Sequence, residues 1–377
     1  MRGLALLMLL PALLFLTGCG ATTGEVENQA YALVLGIDRT ETGDIELTIR
    51  IPRIGHDGGG ESEGGNSGSP YLVLAAAGED YPQALEHLQW TAARELNLSH
   101  VKLIVASEAL ASGEAFPALI SQVAETRHLF TTAGFVVCEG RARTFIEGQE
   151  IILGSHLSGE LSAMFRHYAA HGYIPRATFA GLYYATRSCY SDPTGIWGFM
   201  DAGEQPVAAT ITDDGDRLNR GTLTASARQY LGTALFREGR MVGRLTAGET
   251  LLLDLLTGRV DTFSYDVDGA TCMLSTLTGP RRRVKLDDDA LTLEADIFLT
   301  SEDSSDPALL DRAGATLSRE TEALIRHCQS LGAEPFGFAA PAAARFPTYQ
   351  RWIDWNWRAH FARAAVNIRV NIRPSGG

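Results

Sequence analysis

Residues 31–38, Tyr-Ala-Leu-Val-Leu-Gly-Ile-Asp, form a nearly uninterrupted apolar run. A run of this kind reads as a strand covered on both faces, which requires a sheet with helices packed on it. The next segment agrees. Ile45, Leu47, Ile49 and Ile51 alternate with Glu46, Thr48 and Arg50, the period of a half-buried strand. Thr42-Gly43-Asp44 between the two suits a hairpin turn.

The same reading continues along the chain. Residues 53–69 are rich in glycine and poor in apolar groups, so they cannot offset their ordering entropy and read as a mobile loop. Tyr71 to Ala77 is a third strand, and Asp80 and Pro82 open a helix with an apolar stripe of Tyr81, Leu85, Leu88, Ala92 and Leu96. Strands at 101–106 and 132–138 flank a helix near 114–124, and a short helix at 142–146 follows. Residues 155–190 are helical in character, and Ser191-Asp192-Pro193-Thr194-Gly195 breaks the pattern.

The second half opens with a hairpin, Leu231 to Arg237 and Met241 to Leu245 around Glu238-Gly239-Arg240, and a helix at 247–256. Strands are expected at 259–267, 270–278, 281–286 and 290–300. A long helix has Asp306 as its N-cap, Pro307 at its first position and Gly332 after its end. Its buried stripe is Leu310, Leu317, Leu324, Cys328 and Leu331. One further helix is expected over 348–362, then a strand in which Val366, Ile368, Val370 and Ile372 alternate with polar residues. The fold class is α+β, multidomain, with mixed sheets packed by helices. The expected division is an N-terminal α/β domain over 28–200, a boundary region over 201–225 and a C-terminal α+β domain over 226–377.

The chain begins with Arg2 and an apolar run from Leu4 to Leu16, too short to span a bilayer as a mature helix. Leu16-Thr17-Gly18-Cys19 then resembles the lipobox of bacterial lipoproteins. On that resemblance residues 1–18 are a signal peptide, Cys19 carries lipid through its sulfur, and residues 19–27 are a short tether. Two acyl chains hold a protein to a membrane stably where one holds it marginally.

Function classes fall away for physical reasons. The net charge is −13 and the basic residues are scattered, so no sustained positive field exists for nucleic acid. The five cysteines, Cys19, Cys138, Cys189, Cys272 and Cys328, are widely spaced and form no CxxC. His167 and His171 stand at i and i+4, a spacing that can hold zinc. Tyr168, however, occupies the position where a metalloprotease needs Glu, and no third ligand is placed. There is no phosphate-binding P-loop and no nucleophile elbow, and Asp287-Asp288-Asp289 lacks calcium-loop spacing. No catalytic, cofactor-binding or metal-binding residue is assigned. His100 beside Lys102 is the best polar pair. Trp352, Trp355, Trp357 and Phe361 invite a ligand-cage reading, but positions 352, 355 and 359 (Ala359) also fit one buried helical face, which favours core packing, with Trp357 pointing elsewhere, where it could serve a partner interface.

Taken in order, several segments resemble the Ger(x)C family, the lipoprotein C subunits of spore germinant receptors. They are the lipobox, Leu35-Gly36-Ile37-Asp38, Leu98-Ser99-His100-Val101-Lys102-Leu103-Ile104-Val105 and Glu108-Ala109-Leu110-Ala111-Ser112-Gly113. The hairpin Leu231–Leu245 follows, then Glu334-Pro335-Phe336-Gly337-Phe338, Phe346-Pro347, Trp352, Trp355, Trp357, Phe361 and the strand 366–373. The family commonly has Asp before Gly-Phe, where this chain has Glu334-Pro335. The resemblance implies a non-catalytic subunit on the outer face of the spore inner membrane, anchored in lipid through Cys19. Its partners would be membrane-embedded A and B receptor subunits. Two other readings are a solute-binding lipoprotein with a cleft between its halves and a cell-envelope hydrolase.

Overall fold

A computed structural model describes residues 28–375 apart from 54–68, 127–128, 130–131, 149–156, 201–203, 207–208, 212–216, 220–221, 225–228, 268 and 288–289. Cys19 and the leader therefore lie outside the described residues, as does nearly all of the glycine-rich segment 53–69.

The apolar run supplies β1 (Val34–Arg39), paired antiparallel with β2 (Ile45–Pro52), which pairs in turn with β3 (Tyr71–Gly78). Helix α1 (Tyr81–Thr91) leads on to β4 (Leu103–Ser107), parallel to β1. Then come α2 (Phe116–Ala124), β5 (Gly134–Cys138), α3 (Ala142–Glu147), α4 (Leu157–Ala170), α5 (Phe179–Ala185) and β6 (Thr194–Phe199). The hairpin β7 (Gln229–Arg237) and β8 (Arg240–Leu245) closes an eight-stranded sheet in the order β8-β7-β6-β5-β4-β1-β2-β3. Its central strands β1, β4, β5 and β6 are parallel and need crossovers, which the helices provide.

Both faces of β1 are covered, as its composition requires. Leu35 and Ile37 pack with α1, α2 and α5 through Leu88, Phe116, Ile120 and Phe179. Val34 packs on the opposite side with Phe145, Ile146 and Leu161 of α3 and α4. Each such fully buried aliphatic side chain contributes about 1.5–3 kcal/mol relative to exposure. Gly36 and Asp38 bring α3 onto this face. A Cβ at Gly36 would stand 2.5 Å from Ile146 Cδ1, so only glycine allows this approach unchanged. The buried Asp38 carboxylate accepts the Ala142 and Arg143 N–H groups at 2.9 Å each, satisfying donors that the start of α3 leaves open. The Leu-Gly-Ile-Asp sequence is thus a docking surface for one short helix.

After α6 (Ala247–Thr257) come β9 (Thr262–Val267), β10 (Ala270–Asp287), β11 (Ala290–Ser301), α7 (Pro307–Leu331), α8 (Tyr349–Asp354), α9 (Trp357–Phe361) and β12 (Ala365–Pro374). The second sheet runs β9-β10-β11-β12, with β12 parallel to β11. Helix α7 lies over it through Leu310, Leu317, Leu324 and Cys328, all buried. Asp306 Oδ1 accepts the Ala308 N–H, and Gly332 closes the helix in the left-handed region. The hairpin expected at 231–237 and 241–245, within the C-terminal domain of 226–377, joins the first sheet instead, β7 pairing with β6 and β8 with β7.

Three elements differ from the sequence reading. The helix whose stripe was expected to reach Ala92 and Leu96 ends at Thr91, Ala92 is already extended, and Glu95–Asn97 is a short strand parallel to Gln29–Tyr31. The strands expected at 270–278 and 281–286 are one 18-residue strand, β10. Gly279-Pro280 reads as a break, but it sits at irregularities in the pairing with β11, and the ladder resumes at Arg281. The helix expected over 348–362 is two helices. Asn356 adopts φ 54°, a left-handed conformation that Asn tolerates, and its side chain accepts the Ala359 N–H at 3.4 Å. The kink turns Trp357 inward: it is buried, where the helical spacing had it facing a partner.

Candidate functional site at the junction of the two sheets

Four segments meet around Asp192. The residue precedes β6 and is followed by Pro193, which cannot donate a backbone hydrogen bond. Its buried carboxylate accepts both Arg358 Nη2 at 2.7 Å and Nη1 at 2.8 Å, a bidentate pair. It also accepts the Glu334 N–H at 2.8 Å and the Glu238 N–H at 3.3 Å. The Asp192 N–H returns a bond to the Glu334 carbonyl at 2.8 Å. Arg358 Nε stands 3.6 Å from Glu238 Oε1, and Arg358 Nη1 is 3.4 Å from the Gly332 carbonyl. One carboxylate thereby ties the start of β6, the β7–β8 turn, the end of α7 and helix α9.

Glu334 is the unusual member. It is 2% exposed, its Oε1 accepts the Phe338 N–H at 3.0 Å, and its Oε2 has no hydrogen-bond partner. Burial pushes its carboxyl up to about 8; the 337–339 backbone N–H groups oppose this and the Asp192 charge adds to it. Glu334 is therefore mostly protonated at neutral pH. Trp357 Nε1 is likewise buried without a partner.

Both residues line a cavity of about 300 Å³, together with Cys189, Asp192, Glu238, Trp352, Asn356 and Arg358. The aromatic residues read from the sequence gather beside it. Trp352 lies 5.7 Å from Trp357 and 5.9 Å from Trp355 between ring centroids, and Trp355 stacks on His360 at 4.1 Å. Phe361 packs on Trp357 at 5.8 Å. On the outer side Tyr190 stacks against Trp352 at 6.3 Å, and Tyr190, Tyr349 and Ile353 are exposed.

The other candidate residues lie elsewhere. His167 and His171 meet edge to face at 4.6 Å, and His171 Nδ1 is 3.2 Å from the Thr262 carbonyl. Among the described residues no group of three or more His, Cys, Asp or Glu side chains is placed to hold a metal. His100 stacks on Tyr31 at 4.5 Å, a packing role. Lys102 lines a separate cleft of about 500 Å³ with Arg166 and Arg176. Among the described residues, Cys138, Cys189, Cys272 and Cys328 form no disulfide with one another. Sequence reasoning gave no role to Asp192, Arg358 or Glu334. The one local signal was a carboxylate, Glu334, set among Ala333, Pro335 and Phe336.

The comparisons with known proteins follow the same architecture. Residues 23–194 match the family model described as spore germination protein N-terminal domain. Residues 231–375 match the one described as spore germination B3/GerAC like, C-terminal. The chain belongs to the Ger(x)C family. Among curated relatives of this Ger(x)C protein, spore germination protein KC of Bacillus subtilis (strain 168) is 32% identical over 136 residues, 36% of this chain. The match spans 33% of that relative's length. Among solved structures, the GerBC protein superposes with a TM-score of 0.51 at 12% identity, covering 91% of this chain and 97% of that one. At that identity the likeness shows the fold alone. The α+β class expected of a Ger(x)C chain is the class observed.

Proposed function

We propose that this Ger(x)C protein is the C subunit of a spore germinant receptor, a non-catalytic interaction subunit held at the outer face of the membrane by lipid on Cys19. The observation that carries the reading is the match of both spore-germination domain models, in order, across residues 23–194 and 231–375. The lipobox-like Leu16-Thr17-Gly18-Cys19 supports the anchor. Membrane-embedded A and B subunits are the partners in this reading. The exposed group Tyr190, Tyr349 and Ile353 is the face offered to them, since aromatic side chains with a polar tip suit the core of an interface.

Cys19→Ala in a sporulating strain without a redundant receptor tests both parts. The expected result is a protein released from the membrane fraction and a reduced germination response to nutrients. An unchanged response with normal membrane retention would defeat the reading.

A further inference from the structure

The cleft of about 500 Å³ that holds Lys102 is a charge anomaly. The chain carries a net −13, yet this cleft is lined by Lys102, Arg166 and Arg176 and, among the described residues, by no carboxylate. The three cations come from separate segments: the residue before β4, helix α4 and the connection from α4 to α5. No local run of basic residues announces them, and only the fold brings them together. A concave surface lined by one sign of charge focuses its field and concentrates counter-ions.

The two arginines are presented rather than consumed. Both are exposed, and neither forms an ion pair among the described residues. Arg166 Nε donates to the Ser162 carbonyl one turn back at 3.3 Å, which steadies the guanidinium and leaves both Nη groups for another acceptor. The carboxyl nearest in effect to Arg176 is Asp254 of α6, fully buried and outside the lining. Burial raises it to about 7, against the charges of Arg259 and Arg176, so at neutral pH it is ionised only part of the time. Hydroxyls add donors at the same place. Thr132 is exposed, and Thr178 Oγ1 accepts the Gly181 N–H at 3.1 Å while keeping its own proton to give. Half-buried Phe165 supplies an apolar wall, its ring edge resting where a Cβ on Gly134 would stand 3.3 Å from Cε2.

We propose that this cleft binds a phosphate monoester, its dianionic head on Arg166, Arg176 and Lys102 and its organic body against Phe165. Guanidinium forks match pairs of phosphate oxygens. Three cations with two hydroxyls exceed what the single charge of a carboxylate can use. A phosphate monoester brings about −1.5 to −2 charge at neutral pH and three acceptor oxygens. An organic cation would meet only like charge here.

The test is calorimetric titration of the full chain in neutral detergent with phenyl phosphate. Phenyl sulfate has the same shape with less charge, and inorganic phosphate has the head without the ring. Phenyl phosphate binds more tightly than either by about tenfold, and its affinity falls as sodium chloride is added. Arg166→Gln and Arg176→Gln alter exposed side chains, so each keeps the thermal transition and weakens phenyl phosphate by about tenfold. Dibutanoyl phosphatidate separates a lipid source from a soluble one. Tighter binding than phenyl phosphate assigns the cleft to lipid heads, and weaker binding assigns it to a soluble ester. No binding of phenyl phosphate, equal affinity for phenyl sulfate or inorganic phosphate, or wild-type affinity in both glutamine variants would overturn the proposal. It does not rest on the receptor reading, and none of these results bears on membrane retention through Cys19.

Discussion

Asp192 and Arg358 stand 166 positions apart and form a two-pronged ion pair at 2.7 and 2.8 Å across the seam between the two sheets. The Asp192 side chain is 3% exposed and that of Arg358 is 35% exposed. Both are satisfied by further bonds, so breaking the pair costs more than making it gains. Asp192→Ala strands the Glu334 and Glu238 N–H groups and the guanidinium together. The expected loss is about 3 kcal/mol, read by urea unfolding monitored through tryptophan fluorescence. Arg358→Lys keeps the charge and loses the fork, and a smaller loss of about 1–2 kcal/mol is expected. Equal losses in the two variants would contradict the bidentate account.

The stability of the protein should fall as pH rises from about 4.5 to about 8. Glu334 goes from an ordinary 4.5 to about 8 on folding, and Asp254 of α6 from 3.8 to about 7. Both shifts come first from burial; Asp192 adds to that of Glu334, and Arg259 and Arg176 oppose that of Asp254. The folded state binds more protons than the unfolded chain in this window. The stabilisation is complete below the unfolded values and disappears as pH passes the folded ones. At 1.36 kcal/mol per unit, Glu334 alone contributes on the order of 5 kcal/mol. Unfolding free energies at pH 5, 6.5 and 8 should slope downward in the wild type and be flatter in Glu334→Gln. Parallel profiles would sink this assignment.

Gly314→Ala should destabilise, against the usual rule for a helix interior. Alanine gains about 1 kcal/mol over glycine in helix propensity. Here, however, a Cβ would lie 2.8 Å from the Val370 carbonyl oxygen, where α7 crosses β12. Backbone cannot yield as a side-chain end can, and overpacking of this kind costs about 1–3 kcal/mol. The net expectation is a lowered Tm in a calorimetric scan; a raised Tm would show that α7 lifts away without cost.

The face formed by Tyr190, Tyr349 and Ile353 can be separated from the fold, because all three are exposed. Tyr349→Ala with Ile353→Asp should leave thermal stability within about 0.5 kcal/mol. On the receptor reading the same variant reduces co-purification with the membrane-embedded subunits. Unchanged co-purification would move the partner surface elsewhere on the molecule.

Features encoded within a few residues of one another are legible in the sequence itself. Strand periods at 45–51 and 366–373, the Asp306-Pro307 start and Gly332 end of α7, and the hairpin around Glu238-Gly239 all depend on local backbone preference. All stand in the fold. The same local logic fails where distant parts of the chain decide. Gly279-Pro280 looks like a strand end and lies inside β10, because β11 resumes its pairing beyond the irregularity. Trp357 looks outward-facing until Asn356 turns the chain between α8 and α9. The candidate site is least legible of all. Asp192 reads as part of a turn and Glu334 as part of a motif, and Arg358 carries no local signal at all. Their chemistry arises only when burial strips water from the carboxylates and a guanidinium 166 positions away takes its place, a change that no pattern of nearby residues encodes.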